Sequence, residues 1–113
     1  MKNTIKSNLE VNSIFAEAQR SVQETVIVMD NDELPERGSR GRVAYIAGKR
    51  LGAAPKRSRA KRVMREAAKK EGAPWPGRRV VLIARERLLS SNISAVQRDI
   101  AKALKQLADQ RDI

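Results

Sequence analysis

Cysteine and histidine are both absent from this sequence of 113 residues. Without cysteine the chain can form no disulfide bond, thiolate metal site or cysteine nucleophile. Histidine is the most frequent general base in enzymes, so a hydrolytic site built from this chain alone would depend on carboxylates or lysine. We therefore expect no catalytic residues and no metal ligands in the protein itself.

Long hydrophobic runs are missing as well. The first fifteen residues, MKNTIKSNLEVNSIF, lack the continuous apolar core of a secretion signal. No other stretch approaches the roughly 18 apolar residues that cross a bilayer. These features predict a cytoplasmic protein with no membrane partner, and the lack of cysteine agrees with that location.

Positive charge, by contrast, is in large excess. Lys and Arg number 24 against 13 Asp and Glu, which gives a net charge of +11 and a pI near 10.9. Residues 42–70 hold eleven basic residues and a single acid, Glu66. Such a concentration repels itself unless a polyanion is nearby, so a nucleic acid is the expected partner.

One compact domain over residues 1–113 is the expected organisation, because the 41% hydrophobic fraction suffices for one modest core. The predicted order is helix, strand, strand, helix, strand, helix. This order favours an α+β domain in which helices pack on a small mixed sheet. The predicted helices are 13–20, 55–71 and a third that ends near 109, and the predicted strands are 25–29, 42–47 and 79–84.

Local signals set the boundaries of the first two helices. Asn12 or Ser13 can cap the first helix. Pro55 suits the first position of the second helix, and Gly72 suits its end. The acidic segment 30–41, DNDELPERGSRG, is rich in turn formers and is predicted to be an exposed loop.

The third helix is predicted from its cap and its periodicity. Ser94 and Gln97 have the spacing of a capping box, in which each side chain satisfies a free amide at the start of the helix. The apolar residues that follow recur at helical spacing. They are Ile93, Val96, Ile100, Ala103, Leu104 and Leu107.

The second helix should carry two distinct faces. At about 100° per residue its basic residues fall in one arc and its apolar residues in another. Arg57, Lys61 and Arg65 repel one another along the same stripe, whereas a merely solubilising face would pair Lys with Glu at four-residue spacing. The stripe therefore indicates a polyanion-binding surface more than a solvated one, and its arginines can bind phosphate bidentately.

Aromatic residues are few: Phe15, Tyr45 and Trp75. This number excludes a sheet that stacks bases on paired aromatic platforms. Phe15 on the first helix and Tyr45 on a strand could each stack on an unpaired base or pack in the core. Trp75, between two prolines, is expected to cover an edge of the core.

Residues 42–66, RVAYIAGKRLGAAPKRSRAKRVMRE, resemble the signature of the bacterial ribonuclease P protein family. In that signature a strand leads to a basic pair, a glycine turn and a helix with the pattern RNR-x-KR-x-x-RE. Lys49 and Arg50 stand at the basic pair and Gly52 at the turn. Ser58 stands where the family has Asn.

The resemblance implies a fold and a function. The fold is the family's compact α+β domain with a left-handed βαβ crossover. The function is that of the protein subunit of ribonuclease P, in which a catalytic RNA subunit, with magnesium bound mainly by that RNA, removes the 5′ leader of precursor tRNA. The implied partners are the RNA subunit and precursor tRNA, and no stable protein partner is required.

The same resemblance assigns the site residues. The basic turn and helix are expected to contact the RNA subunit, and the leader is expected in a groove between the sheet and the first helix, near Phe15 and Tyr45. The expected RNA-binding residues are Lys49, Arg50, Lys56, Arg57, Ser58, Arg59, Lys61, Arg62, Arg65 and Lys69.

Three alternatives remain open at this stage. The main one is a structural RNA-binding protein of the ribosomal type, with no role in processing. A nucleoid-type DNA binder is less favoured, because the chain shows no recognition-helix turn and no dimerisation heptad. An independent nuclease would need a cluster of carboxylates, whereas the acids here are scattered along the chain.

Overall fold

The computed structural model describes Ile5, residues 8–34 and residues 40–111. Within this part the chain forms three α-helices, a four-stranded sheet and two short 3₁₀ turns, at Lys49–Leu51 and Glu86–Ser90. The predicted single α+β domain is confirmed, with one more strand than expected. The elements are α1 (Asn8–Glu17), β1 (Gln19–Val22), β2 (Val26–Asp32), β3 (Arg42–Ile46), α2 (Ala54–Lys70), β4 (Arg78–Ala84) and α3 (Ile93–Arg111).

The sheet is mixed and has the strand order β1-β2-β4-β3. β2 pairs antiparallel with both β1 and β4, whereas β3 pairs parallel with β4. A parallel pair needs a crossover connection, which α2 supplies between β3 and β4. The strand–helix–strand unit therefore contains the whole basic segment.

Two apolar cores lie on opposite faces of the sheet. On one face α2 and α3 pack over the strands, with Val28 and Leu82 among the side chains they bury. On the other face α1 packs through Ile14 against Met29 and Val81. Successive strand residues point to opposite faces, so the continuous apolar runs at residues 26–29 of β2 and 80–84 of β4 supply both cores.

The second helix and its boundaries agree with the prediction to within one residue. It begins at Ala54 with Pro55 in the first turn. It ends in a Schellman motif: Gly72 has a φ of +99°, its N–H donates to Lys69 O at 3.2 Å, and Ala73 N–H donates to Ala68 O at 3.0 Å. Only glycine adopts this conformation without strain, so Gly72 ends the helix as expected.

The first helix lies several residues earlier than predicted. It spans Asn8–Glu17, so the predicted cap at Asn12 or Ser13 is wrong. The helix packs on the sheet through Val11 and Ile14, which the shorter prediction could not include together. Glu10 in the first turn is also favourable, because the helix dipole is positive at that end.

The sequence Gln19–Val22, partly assigned to the first helix, forms the edge strand β1 instead. It pairs with β2 through the register Arg20↔Met29 and Val22↔Ile27. Four residues with two exposed polar side chains give little alternation to detect. The pairing with β2 decides the conformation of this segment.

The predicted exposed loop at 30–41 is wrong in its first part. β2 continues to Asp32, and both Asp30 and Glu33 are buried. Residues 35–39 of the predicted loop lie outside the described residues.

The predicted capping box at the start of α3 is also wrong. Asn92 caps the helix, because its Oδ1 accepts a hydrogen bond from Ala95 N–H at 2.9 Å. Ser94 is exposed, and Gln97 instead donates to Glu71 Oε2 at 2.6 Å. The apolar periodicity is confirmed: Val96, Ile100, Ala103 and Leu107 are fully buried, and Ile93 and Leu104 are half-buried.

Candidate nucleic-acid interface

The basic pair is presented by a tight turn between β3 and α2. Leu51 is buried, so it anchors the turn in the core while Lys49 and Arg50 remain exposed. Leu51 N–H donates to Gly48 O and Gly52 N–H donates to Lys49 O, both at 3.1 Å. Gly52 has a φ of +112°, a conformation that favours glycine. The turn therefore holds two cations at the start of the basic helix.

α2 divides into a buried face and a basic face, as the periodicity predicts. Its buried residues are Ala60, Met64, Ala67 and Ala68, and Val63 is half-buried. Small side chains on this face allow the helix to lie close to the sheet and to α3. The opposite face is consequently free to carry long basic side chains.

Nine of the ten predicted RNA-binding residues are exposed: Lys49, Arg50, Lys56, Ser58, Arg59, Lys61, Arg62, Arg65 and Lys69. The tenth, Arg57, is half-buried, and in the described structure its Nε atom is buried without a hydrogen-bond partner. Turn and helix thus bring all ten onto one continuous segment, which we call the basic face. Their contact with RNA stays a prediction.

Arg42 does not belong to this basic face, although it lies in the basic segment of the sequence. Its Nε donates to Glu33 Oε2 at 2.7 Å, and its Nη1 donates to Glu10 Oε1 at 2.9 Å. Arg79 Nη1 donates to Glu10 Oε2 at 3.0 Å. These arginines join α1 and the segment after β2 to the sheet, so their role is structural.

These ion pairs also alter the pKa values of Glu10, Glu33 and Arg42. Burial alone would raise the pKa of Glu10, but hydrogen bonds from Arg42 and Arg79 outweigh it and lower the pKa. The hydrogen bond from Arg42 likewise lowers the pKa of Glu33 against the effect of burial. The hydrogen bond to Glu33 raises the pKa of Arg42, so Glu10, Glu33 and Arg42 are all charged at neutral pH.

The basic face differs from this cluster because its cations form no salt bridge with any other described residue. In the described part of the chain, every salt bridge involves Arg42, Arg78 or Arg79, and no residue of α2 takes part. The α2 cations can therefore bind an external anion.

The structure does not bring Phe15 and Tyr45 together. Tyr45 is half-buried on the sheet face that α2 covers, with Arg65 Cζ 5.3 Å from the centre of its ring. Phe15 lies on α1, which packs on the opposite face, and 40% of its surface is exposed. The prediction of a groove that contains both aromatic residues is therefore wrong. Alternate residues of β3 point to opposite faces of the sheet, and Tyr45 points to the face away from α1.

A groove does exist on the sheet face that carries α1. It has a volume of about 610 Å³ and is floored by Ile27, Ile46 and Ile83. These isoleucines are direct cross-strand neighbours, since Ile83 pairs with both of the others. Its remaining lining residues are Glu24, Gly48, Arg50, Leu51, Ala84, Arg85, Glu86 and Arg87.

The groove residues after β4 were not among the sequence-predicted site residues. Arg85 and Arg87 are exposed at the rim, and Arg85 Nη1 donates to Gln23 O at 2.7 Å. The signal present in the sequence is RERL directly after a buried strand, a pair of arginines beside an apolar run. Arg50 belongs to both the rim and the basic turn, so the groove adjoins the basic face.

Among the described residues, no group of three or more acidic side chains lies close enough together to hold a metal ion. Within the same part of the chain, none of the helices has the length and apolar character needed to span a membrane.

The mixed sheet and the strand–helix–strand crossover define a small α+β domain, and the basic face, whose cations form no salt bridge within the described chain, is a feature typical of nucleic-acid-binding proteins. The sequence model of the ribonuclease P family matches residues 1–108, and the chain therefore belongs to the ribonuclease P protein family. It is the protein subunit of ribonuclease P, an RNA-binding protein of tRNA processing that acts in an endoribonuclease together with ribonuclease P RNA.

Comparison with solved structures supports the fold. The ribonuclease P protein of Staphylococcus aureus is 21% identical and superposes with a TM-score of 0.78 over 93% of this chain and 94% of that one. The protein from Thermotoga maritima is 20% identical, with a TM-score of 0.74 over 94% of this chain and 96% of that one. No curated protein sequence matches the chain. The family match favours the ribonuclease P interpretation over the ribosomal alternative.

Proposed function

We propose that the basic face binds the phosphate backbone of the ribonuclease P RNA. The observation that carries this proposal is the contrast between two sets of arginines. Those on β3 and β4 are held in ion pairs, whereas the exposed cations of α2 take part in none of the salt bridges of the described chain. Phosphates are the counter-charge that such a surface fits, and their neutralisation releases counterions.

We further propose that the substrate is precursor tRNA, and that its single-stranded 5′ leader lies on the sheet face that carries α1. The isoleucine floor of the groove offers an apolar surface to bases, and Arg50, Arg85 and Arg87 can follow the backbone. Phe15 is exposed on α1 at the same face and stays part of this proposal. Tyr45 is not part of it, because its ring lies on the sheet face that α2 covers.

In this proposal the chemical step belongs to the RNA. The magnesium ions that serve cleavage are assigned mainly to the RNA subunit, where they would activate water and stabilise the leaving oxygen. The protein contributes binding: it neutralises phosphates and holds the leader beside the site of cleavage. The product is a tRNA with a mature 5′ end.

Binding of ribonuclease P RNA over a range of salt concentrations tests the basic face. The triple variant Arg57→Gln, Lys61→Gln, Arg65→Gln should bind more weakly, and the slope of log affinity against log salt should fall by about one for each phosphate that is no longer neutralised. The matched control removes three exposed cations from α3, at Arg98, Lys102 and Lys105. Equal reductions of affinity in the two triple variants would show that net charge, and not the basic face, governs binding.

Processing of precursor tRNA by a bacterial ribonuclease P RNA at low magnesium concentration tests the whole assignment. Addition of the protein should increase the rate of 5′ cleavage, because phosphate neutralisation lowers the magnesium concentration that the RNA requires. The basic-face triple variant should stimulate less than the α3 control. Folded protein that binds the RNA without any stimulation would contradict a role in processing.

A further inference from the structure

Among the described residues, one cation–π contact joins the sheet to the basic face. It is formed by the Tyr45 ring on β3 and the Arg65 guanidinium on α2. Arg65 Cζ lies 5.3 Å from the centre of the Tyr45 ring, inside the roughly 6 Å range of a cation–π interaction. Tyr45 is half-buried against the core between β3 and α2, whereas Arg65 is exposed. The ring is thus fixed by packing, and the guanidinium lies over it at the surface.

This arrangement differs from the other ways in which the protein fixes an arginine. Arg42, Arg78 and Arg79 are oriented by carboxylates, which neutralise their charge. A ring orients a guanidinium through its face while leaving the positive charge uncompensated. The edges of the planar fork also remain free to donate to the two oxygens of a phosphate.

A long, exposed side chain loses rotamer freedom when it binds, and that loss weakens binding. The Tyr45 ring reduces the loss for Arg65, because it restricts the guanidinium before the RNA arrives. Arg65 also follows Arg57 and Lys61 on the same stripe of α2, so a fixed guanidinium there continues the line of phosphate contacts.

We propose that Tyr45 is a positioning residue for RNA binding, and that its ring holds the Arg65 guanidinium in place for a phosphate of the ribonuclease P RNA. The proposal rests on the assignment of the basic face to that RNA. It also gives Tyr45 a different role from stacking on the leader, since its ring faces α2.

A double-mutant cycle on the affinity for ribonuclease P RNA tests the coupling. Arg65→Gln should weaken binding and lower the salt slope by about one. Tyr45→Leu should weaken binding severalfold when Arg65 is present and should have no further effect in the Arg65→Gln background. Tyr45→Phe retains the ring and should restore the affinity of the unmodified protein.

Folding is followed separately, because Tyr45→Leu also removes packed surface. The Arg65 Nε–H resonance of the free protein provides a second measurement: the ring should shift it, and the shift should persist in Tyr45→Phe and vanish in Tyr45→Leu. If the fold-reduction of affinity in the double variant equals the product of the two single reductions, Tyr45 and Arg65 act independently and the positioning role is overturned. An Arg65 resonance that is the same in the Leu and Phe variants would also overturn it.

The same variants separate failure of this inference from failure of the proposed function. If Arg57→Gln and Lys61→Gln weaken RNA binding while Arg65→Gln does not, the basic face stands and the role of Tyr45 is overturned. If none of the three weakens binding more than Arg98→Gln on α3, the basic face itself is wrong. Binding of precursor tRNA is measured as well. If the Tyr45 and Arg65 variants reduce the affinity for precursor tRNA but not the affinity for ribonuclease P RNA, the phosphate that Arg65 contacts does not belong to the RNA subunit, and the proposal is overturned.

Discussion

Asp99 on α3 fixes the residue that precedes β2, Thr25. Its Oδ2 accepts hydrogen bonds from both the backbone N–H and the hydroxyl of Thr25, at 3.0 and 2.6 Å. Both residues are buried, so neither Thr25 donor has water as a ready alternative. A single carboxylate therefore joins the helix to the β1–β2 hairpin.

Replacement of Asp99 by Ala should lower the free energy of unfolding by about 2–3 kcal/mol, because it leaves two buried donors without an acceptor. Urea unfolding followed by Trp75 fluorescence measures this decrease. Asp109→Ala, which removes an exposed carboxylate from the same helix, is the control and should change stability little. A decrease no larger than that of the control would show that the Thr25 hydrogen bonds contribute nothing net.

The ion-pair cluster between α1 and the sheet should make stability depend on acid. The pKa values of Glu10 and Glu33 are lower in the folded protein than the ordinary value of 4.5. As the pH falls, these two carboxylates are therefore protonated in the unfolded chain before they are protonated in the folded protein. Proton uptake then shifts the equilibrium toward the unfolded chain. We expect stability to be full well above pH 4.5 and to decline as the pH falls below it.

Glu10→Gln tests the contribution of one carboxylate to this decline. The variant should be less stable at neutral pH, and its stability should fall less between neutral pH and the acid range, because the titrating group is gone. Glu17→Gln, an exposed carboxylate on the same helix, is the matched control. An unchanged pH dependence of unfolding in Glu10→Gln would contradict the assignment.

Features that depend on neighbouring residues in the sequence could be predicted. Pro55 and Gly72 act on the backbone where they stand, so the limits of α2 follow from them directly. The two faces of α2 follow equally from spacing, because helix geometry alone decides which residues share a face. The division of α2 into a buried face and a basic face can therefore be predicted from the sequence alone.

Features that depend on distant partners could not be predicted. Asp30 and Glu33 look like loop acids, and only the fold places arginines of β3 and β4 beside them. β1 becomes a strand because β2 offers it a partner edge. Strand alternation shows that Tyr45 and its neighbours on β3 point to opposite faces of the sheet, but it does not show which helix covers each face. Only the fold shows that α2 covers the face of Tyr45.

Gly41 should be intolerant of any side chain. A Cβ built there would lie 1.8 Å from the carbonyl oxygen of Trp75 and 2.6 Å from its carbonyl carbon, so the backbone of one segment would have to move. We expect Gly41→Ala to lower the free energy of unfolding by about 1–3 kcal/mol or more, as measured by urea unfolding.

Gly48→Ala is the control for this effect, because a Cβ at Gly48 would meet no other atom within 4 Å and the φ of this residue is −77°. That substitution should leave stability unchanged or raise it slightly, since alanine restricts the unfolded chain. If the two alanine variants unfolded at the same urea concentration, the close approach of residue 41 to Trp75 would be wrong.

The groove beside the isoleucine row should distinguish precursor tRNA from mature tRNA. Arg87 lies at its rim and is exposed, so Arg87→Gln removes a charge with little expected effect on folding. Removal of one charge-assisted hydrogen bond to a leader phosphate should weaken binding of precursor tRNA to the assembled holoenzyme by about tenfold. Binding of mature tRNA, which lacks the leader, should not change.

Two further variants define which part of the α1 face the leader occupies. Ile83→Thr places a hydroxyl at the centre of the isoleucine row and keeps a branched strand residue, and Phe15→Ala removes the exposed ring of α1. Both should weaken binding of the precursor more than binding of the mature tRNA, and Arg98→Gln on α3 should weaken neither selectively. A selective effect in Phe15→Ala alone would place the leader along α1 and outside the groove. Equal effects on the two tRNAs in every variant would remove the leader from this face of the sheet.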